Sequence, residues 1–294
     1  TIDVVSVCTP SGLHAEVGVP ALHAGKHVIV EKPMDVTLDA CDRLLAAQRQ
    51  SGTMLAVVSQ HRFDAASQRV KASIDNGSLG SLVLAECQVA WFRAQDYYDS
   101  GDWRGTWELD GGGALINQGI HTLDLLRWTC GPVRTVYAQA RTAAHERIEV
   151  EDVVCATVVF ANGALGTVTA STAAYPGFPA RLAVHGTTGG AVIEGDRLAT
   201  LATMGHAAVG GEPANAHARQ VASGGTRAAT AAVEMSPPDP AGAWGDAHRA
   251  QLLDLIDAVA DGRPPLVDGT SGREAVELVE AIYRSARTGA VVTL

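Results

Sequence analysis

Residues 2–33 read IDVVSVCTPSGLHAEVGVPALHAGKHVIVEKP. Two short runs rich in β-branched residues, at 2–7 and 28–30, are typical of strands that are buried on both faces. A helical stretch between them is predicted to begin at Ser11, as its cap, and to end near Gly25. Because a strand, a helix and a second strand follow one another, these residues predict a right-handed βαβ unit with parallel strands.

The same alternation continues downstream. A helix is predicted from Thr37 to about Gln50, a third strand at 54–58, and a further helix over about 64–75. The chain therefore begins with at least three strands of one parallel sheet.

After Gly80 the pattern changes to longer strands, and Asn162-Gly163 is a hairpin signal between two of them. This part predicts a large, mostly antiparallel sheet. The strand-like runs are 82–92, 133–142, 153–160, 164–173, 181–185, 190–194 and 291–294. Helices are predicted over 114–129, 245–261 and 271–287, and residues 93–113 form a polar, aromatic loop. Residues 204–243 are rich in Ala, Gly and Pro and predict long loops with short edge strands.

Composition excludes several classes of function. The 294 residues include 32 acidic and 22 basic ones, for a net charge of −10, which disfavours nucleic acid and anionic membranes as partners. No apolar run reaches the roughly 18–20 residues of a membrane helix, and the first residues lack the basic leader of a signal peptide. Five scattered cysteines without a CxxC pair predict neither disulfides nor a zinc site, so we expect a reducing cytoplasm.

The turn Glu31-Lys32-Pro33 directly follows a predicted parallel strand. Ligands of open α/β sheets bind at the carboxyl ends of strands, where a lysine offers a positive charge to an alkoxide or a phosphate. A solvated charge pair before a proline turn is the alternative interpretation.

Asn117, His121 and Asp124 follow three glycines, 111–113, at spacings of four and three residues. This spacing places them on one face of a helix that is otherwise apolar, and burying such a stripe is costly unless it is used or satisfied. The residues therefore predict either a site or an interior histidine with two polar neighbours.

Two further segments are weaker candidates. The turn Cys8-Thr9-Pro10-Ser11 joins a strand to a helix and suits an anionic ligand, although most such turns look alike. The aromatic loop suits stacking on a sugar and binding of a carboxylate, or equally an interdomain or subunit contact. Its aromatic residues and arginine are Tyr97, Tyr98, Trp103, Arg104 and Trp107. The motifs GxGxxG, HExxH and the P-loop are absent, and no metal is predicted.

Taken in order, several of these segments resemble the Gfo/Idh/MocA oxidoreductases, the relatives of glucose–fructose oxidoreductase and inositol dehydrogenase. The resemblance covers nearly the whole chain. It rests on CTPSGLH (8–14), HVIVEKP (27–33), QHRF (60–63), WRGTWELDGGGALINQGIHTLDLL (103–126), VEDVV (150–154), GRPPLVDG (262–269) and AIYRSARTG (281–289). It implies part of a Rossmann domain at 1–62 and an α/β domain with an open sheet at 63–294, which binds substrate and contacts other subunits of a homo-oligomer, a dimer or tetramer.

The resemblance also implies a function. It implies hydride transfer between NAD or NADP and a secondary hydroxyl of a sugar, nucleotide-sugar or cyclitol. Lys32 and His121 would be catalytic, with Asn117 at a position that is often Asp in the family. Cofactor positions would be Thr9, Pro10, His14, Glu31, Lys32, Arg62, Trp103 and Arg104, and substrate positions Lys32, Asn117, His121, Asp124 and Arg104. The segments NQGIH and YYDSGDWRGTW look most like the branch that acts on nucleotide-linked or acidic sugars, such as UDP-N-acetylglucosamine 3-dehydrogenases.

One departure from the family pattern leaves alternatives open. The family begins with a strand, a GxGxxG turn and a helix, and roughly 60 residues of that βαβ region have no counterpart here. We therefore expect a truncated form of a longer enzyme. A sugar-binding or regulatory protein without a dinucleotide, and redox-assisted cleavage of glycosides, are the alternatives.

Overall fold

The computed structural model describes residues 2–204, 232–234 and 245–294. Within these ranges the chain forms two sheets, one of three strands and one of nine. Helices cover the three-stranded sheet and one face of the larger one, so the predicted α/β class is confirmed.

The smaller sheet is entirely parallel. Its strands are β1 (Val4–Val7), β2 (His27–Val30) and β3 (Leu55–Val57), in that spatial order. The crossover helices are α1 (His14–His23) and α2 (Leu38–Ser51). Their apolar sides and the strands share one core. The predicted βαβ units are therefore present.

The starts of these two helices differ. Thr37 caps α2 as predicted, since its hydroxyl accepts a hydrogen bond from the Ala40 N–H at 3.2 Å. The predicted cap at Ser11 is wrong, because Ser11–Leu13 forms a 3₁₀ turn and α1 begins only at His14. The 3₁₀ turn satisfies the backbone locally, since the Leu13 N–H donates to the Pro10 carbonyl at 2.9 Å.

The larger sheet has the spatial order β11-β10-β9-β8-β4-β7-β6-β5-β12. Its strands are β4 (Leu82–Ala90), β5 (Val133–Arg141), β6 (Val153–Phe160), β7 (Leu165–Ser171), β8 (Arg181–Gly186), β9 (Gly189–Glu194), β10 (Arg197–Thr203), β11 (Ala232–Glu234) and β12 (Val292–Thr293). Only β4 and β7 pair in parallel. The turn at Asn162-Gly163 joins antiparallel β6 and β7, so the hairpin is confirmed.

Two elements of this sheet bear on the sequence interpretation. Strand β10 was not predicted, because its Ala and Thr residues give only a weak apolar alternation. Of the stretch 204–243, only Met204 and β11 are described, and β11 is an edge strand as expected. The rest of the predicted loops lies outside the described residues.

Several of the remaining helices pack on one face of the larger sheet, whereas the helix at 246–261 packs on the smaller sheet, where Leu255 joins Ile29 and Ala56 in one cluster. The remaining helices are the 3₁₀ turn Gln60–Phe63, α3 (Ala65–Asp75), α4 (Gln95–Asp99), a π-helical turn (Ala114–Gly119), α5 (Ile120–Cys130), α6 (Asp246–Asp261) and α7 (Gly269–Thr288). The helix predicted over 114–129 is thus split, and α4 lies in the stretch predicted as loop. The first turn of the split helix is π-helical and is tied to residue 151 by hydrogen bonds from Gly113, Ala114 and Leu115.

Helix α7 links the two sheets. It contacts β3 and α2 on one side and β5 on the other. Its residue Val276 belongs to the core of the smaller sheet, whereas Leu278 and Ile282 belong to that of the larger one. Among the described residues, no helix is both long enough and apolar enough to cross a membrane.

Candidate active site

Lys32 lies in the turn after β2 and reaches across to the π-helical turn. Its ammonium donates to the main-chain oxygen of Asn117 at 2.8 Å and to Asn117 Oδ1 at 3.3 Å. An ammonium group carries three N–H donors, so these bonds leave one for a ligand. The lysine after β2 and the turn that follows the three glycines are therefore in contact.

A small cavity lies beside this contact. Its walls include the side chains of Lys32, His121 and Asp124, three of the residues that the sequence singled out. The remaining lining residues are Pro33, Met34, Val57, Val58, Ser59, Ile120, Val267, Gly272 and Ala275. A mostly apolar pocket with a few convergent polar groups is the usual form of a small-molecule site.

Burial and nearby charges set the protonation states of Lys32 and His121. Burial lowers the pKa of Lys32, as does the charge of Arg104, while the carboxylates of Glu31 and Asp110 raise it. Burial also holds the pKa of His121 well below its ordinary value, and the positive charges of Lys32, His61 and His248 act in the same direction. His121 is therefore a neutral imidazole at neutral pH, the form that can accept a proton.

The ring of His121 packs edge-on against His61, with 5.1 Å between the ring centroids. His61 in turn bonds through Nδ1 to Asp64 at 2.7 Å. This contact fixes one side of the His121 ring and leaves the cavity side accessible.

Asp124 lines the cavity, but its carboxylate is already bound. Arg62 donates from Nε to Oδ2 at 2.8 Å and from Nη2 to Oδ1 at 2.6 Å, and the Ser59 hydroxyl also donates to Oδ2. Arg62 and Asp124 are 3% and 4% exposed. These contacts favour support of the cavity wall by both residues over a direct contact with a ligand.

His14 ties two turns of the smaller sheet together. Its Nε2 lies 3.0 Å from the Thr9 carbonyl and its Nδ1 lies 2.9 Å from the Pro33 carbonyl. The turn after β1 and the turn that carries Lys32 are thus held at a fixed spacing. The Thr9 hydroxyl is buried at this edge and has no hydrogen-bond partner among the described residues.

The side chains of the aromatic loop form two groups. The Arg104 guanidinium lies 4.4 Å from the Tyr97 ring centre and 4.5 Å from that of Trp103, and it donates to the Tyr97 hydroxyl at 2.7 Å. Tyr98 is buried against His145, whereas Trp107 is 42% exposed and packs edge-on against Tyr283. Arg104 also borders a second cavity of about 510 Å³, with Asp99, Asp102, Arg147 and Glu149 in its walls.

Asp110 was not predicted as a site residue, although it directly precedes the three glycines. It is 1% exposed, accepts a hydrogen bond from the Gly105 N–H at 2.8 Å and another from the Asn117 amide. Burial raises its pKa, and these two bonds together with the charges of Arg104 and Lys32 act against that rise. The position of Asp110 directly before the three glycines is the sequence feature that could have identified it as a site residue.

Glu151 is the second residue that was missed, although it lies in the quoted VEDVV segment. Its carboxylate accepts from the N–H groups of Gly113 and Leu115, both at 2.9 Å, and from the Tyr283 hydroxyl at 2.9 Å. It therefore caps the π-helical turn that carries Asn117. Burial raises the pKa of Glu151 to about 7 against the effect of these three donors.

The three glycines permit this close approach. A Cβ atom on Gly113 would lie 1.8 Å from the Glu151 carbonyl oxygen, and one on Gly112 would lie 2.1 Å from the Tyr283 hydroxyl oxygen. Gly111 and Gly112 also have φ angles of 79° and 149°, which side chains disfavour. The glycines thus serve packing of the turn.

Known proteins are similar to this chain in sequence and in fold. Residues 1–59 match an oxidoreductase family described as an NAD-binding Rossmann fold, and residues 67–192 match the GFO/IDH/MocA C-terminal domain. The crystal structure of the WlbA dehydrogenase from Bordetella pertussis in complex with NADH and UDP-GlcNAcA is 32% identical, with a TM-score of 0.85. The match covers 100% of this chain and 80% of WlbA. The chain belongs to the Gfo/Idh/MocA oxidoreductase family.

Curated Gfo/Idh/MocA relatives are longer than this chain. The uncharacterized oxidoreductase YrbE of Bacillus subtilis is 30% identical over 204 residues, which cover 68% of this chain and 58% of YrbE. Myo-inositol 2-dehydrogenase of Thermotoga maritima is 26% identical over 292 residues, covering 97% of this chain and 77% of that enzyme. The chain thus spans part of the length of each relative. The resemblance inferred from the EKP and GGG segments is confirmed at the level of the family.

Proposed function

We propose that this chain serves the NAD-dependent oxidation of a secondary hydroxyl of a sugar derivative. The observation that carries the proposal is that Lys32 and His121 line one cavity at the carboxyl end of β2. A lysine donor with a spare N–H beside a neutral imidazole suits the removal of a proton from an alcohol.

In the proposed reaction His121 accepts the hydroxyl proton, and it returns that proton in the reverse direction. Lys32 donates a hydrogen bond to the same oxygen and stabilises the charge that develops there. Asn117 holds the Lys32 ammonium in place through its two oxygens. NAD, when bound, supplies the acceptor of the hydride that leaves the carbinol carbon.

The residues at the edge of the smaller sheet fit such a cofactor. The buried, unpartnered hydroxyl of Thr9 lies at the carboxyl end of β1, where ligands of α/β sheets bind. His14 keeps the Thr9 turn beside the Lys32 turn, and Arg62 acts through Asp124. We propose that the cofactor residues are those of the sequence analysis, namely Thr9, Pro10, His14, Glu31, Lys32, Arg62, Trp103 and Arg104. NADH in the WlbA complex favours NAD over NADP.

We propose a nucleotide-linked or acidic sugar as the substrate. The relative WlbA was solved with UDP-GlcNAcA. In this chain Arg104 borders the second cavity and its charge acts on Lys32. A guanidinium stacked against two rings suits a carboxylate or a phosphate. Direct substrate contacts are proposed for Lys32, Asn117, His121 and Arg104, and Asp124 is proposed to act on the site by supporting the cavity wall.

The outer face of the larger sheet supports a proposed homo-oligomer contact. Tyr137, Cys155, Leu165 and Leu84 are exposed on this face, and Leu84 and Leu165 are paired on neighbouring strands. The domain boundary at residue 62 and a cytoplasmic location also stay proposals. Light scattering of the purified chain tests the oligomer.

Titration with NADH, followed by tryptophan fluorescence, tests the proposed function. We expect saturable binding of NADH, and oxidation of sugars from a panel that includes UDP-linked uronic acids. Lys32→Ala and His121→Ala should each lower kcat/KM about 10²–10⁴-fold. The control is Lys71→Ala, because Lys71 pairs with Asp75 outside the cavity. Unchanged turnover in His121→Ala, or no binding of NADH, would overturn the proposal.

A further inference from the structure

Asp110, Asn117 and Lys32 form one hydrogen-bonded chain. The Asn117 side chain donates from Nδ2 to Asp110 Oδ1 and accepts at Oδ1 from the Lys32 ammonium at 3.3 Å. Each end fixes the same orientation of the amide, because a carboxylate only accepts and an ammonium only donates. Each hydrogen bond of this series is therefore donated in the direction from Lys32 to Asp110.

The carboxylate end of this chain is buried without a direct ionic partner. Among the described residues no cationic nitrogen forms a salt bridge with Asp110, and its oxygens accept from the Gly105 N–H and the Asn117 amide. A buried carboxylate is costly unless a positive charge lies near it. The positive charges that act on it are those of Lys32, through Asn117, and Arg104.

We propose that Asp110 is the counter-charge of Lys32 and acts on it through the Asn117 amide. Asp110 is thus a positioning residue: it fixes the Asn117 rotamer, aims the third Lys32 N–H at the cavity and holds the amine in its charged form. The use of Lys32 on a substrate oxygen rests on the proposed function. The charge relationship does not.

Other charged groups face the Lys32 amine from the elements around it. Glu31 acts from its own turn, Arg104 from the aromatic loop and His121 from the following helix. Of the two carboxylates, only Asp110 is joined to Lys32 by a relay through Asn117. Removal of the Asp110 charge should therefore leave Lys32 less easily protonated and its side chain less fixed.

The sequence offers a direct test, because it contains only three lysines, 26, 32 and 71. Trace labelling with acetic anhydride over a pH series, read by mass spectrometry, gives the titration midpoint of each lysine in one sample. In Asp110→Asn we expect the Lys32 midpoint to fall and its labelling rate at mildly alkaline pH to rise severalfold. The midpoints of Lys26 and Lys71 should not change. An unchanged Lys32 midpoint in a folded Asp110→Asn variant would overturn the proposal.

A double variant, Asp110→Asn with Asn117→Asp, keeps the relay but moves the charge next to Lys32. The amide introduced at position 110 can donate to the carboxylate introduced at position 117 and accept from the Gly105 N–H, so the hydrogen bonds are preserved. We expect the Lys32 midpoint to return to the wild-type value or above it. A midpoint below wild type would contradict the proposal, even where the single variant fails to fold. Neither measurement needs a cofactor or a substrate. The Lys32 midpoints therefore test the role of Asp110 whether or not the proposed function is correct.

Discussion

The Arg62 guanidinium binds both carboxylate oxygens of Asp124, with N···O distances of 2.8 and 2.6 Å. The pair joins the segment after β3 to the middle of α5, the helix that carries His121. Its two side chains are almost fully buried, so the geometry of the cavity wall depends on a charge pair that water does not screen.

Arg62→Ala should lower the free energy of unfolding by about 3–5 kcal/mol, because it leaves the Asp124 carboxylate buried and without its cation. Urea denaturation measures the loss. The matched control is Arg273→Ala, whose partner Asp42 is half exposed. That variant should lose less than about 1 kcal/mol. Equal losses in the two variants would show that the buried pair has no special role.

Lys32→Met should raise the pKa of His121. Burial accounts for most of the depression of this pKa, and the positive charge of Lys32 is the next cause. Removal of that charge stabilises the imidazolium, so the ring should take up its proton at a higher pH than in the wild type. NMR titration of histidine-labelled protein measures the change without substrate. Lys71→Met serves as the control. An unchanged His121 pKa in Lys32→Met would contradict the effect of the Lys32 charge on His121.

Glu151 makes stability depend on pH. Burial raises its pKa from the ordinary 4.5 to about 7 in the folded chain. The folded state therefore holds the proton more tightly, and this group costs stability as pH rises from about 4.5 to 7, by on the order of 3 kcal/mol at most.

Denaturation of wild type and Glu151→Gln at several pH values isolates this contribution. The difference in unfolding free energy between the two should change across that window and become constant above it. Glu151→Gln should also be less stable at low pH, since an amide cannot accept from all three donors. A difference that is independent of pH would refute the assignment.

Gly113→Ala should destabilise the chain by about 1–3 kcal/mol or more, because its Cβ would meet the Glu151 carbonyl oxygen at 1.8 Å and backbone cannot yield easily. Thermal unfolding measures the effect. Gly245→Ala is the control, since a Cβ there meets nothing within 4 Å. It should cost less than about 1 kcal/mol. If Gly113→Ala is as stable as the control, the π-helical turn can move away from the Glu151 carbonyl, and the prediction is wrong.

The parallel strands and the placement of Lys32 at a strand end were predictable from local pattern. The β-branched runs before and after α1 report burial on both faces, and the turn after such a strand lies at the ligand edge of the sheet. The π-helical turn was not predictable, because it depends on Glu151, 38 residues from Gly113 along the chain. Helical periodicity alone predicts one continuous helix there.

The sequence by itself determined the family, the two kinds of sheet, and the residue types of the site, because periodicity, turn residues and short motifs are local. Tertiary structure decided which groups meet. It placed the Asp124 carboxylate on Arg62, so that a polar residue on the helix face supports the cavity wall. It also brought Asp110 to Asn117 through a turn closed at Gly105. Charge and burial act through space over a few ångströms, and only the folded chain sets those distances.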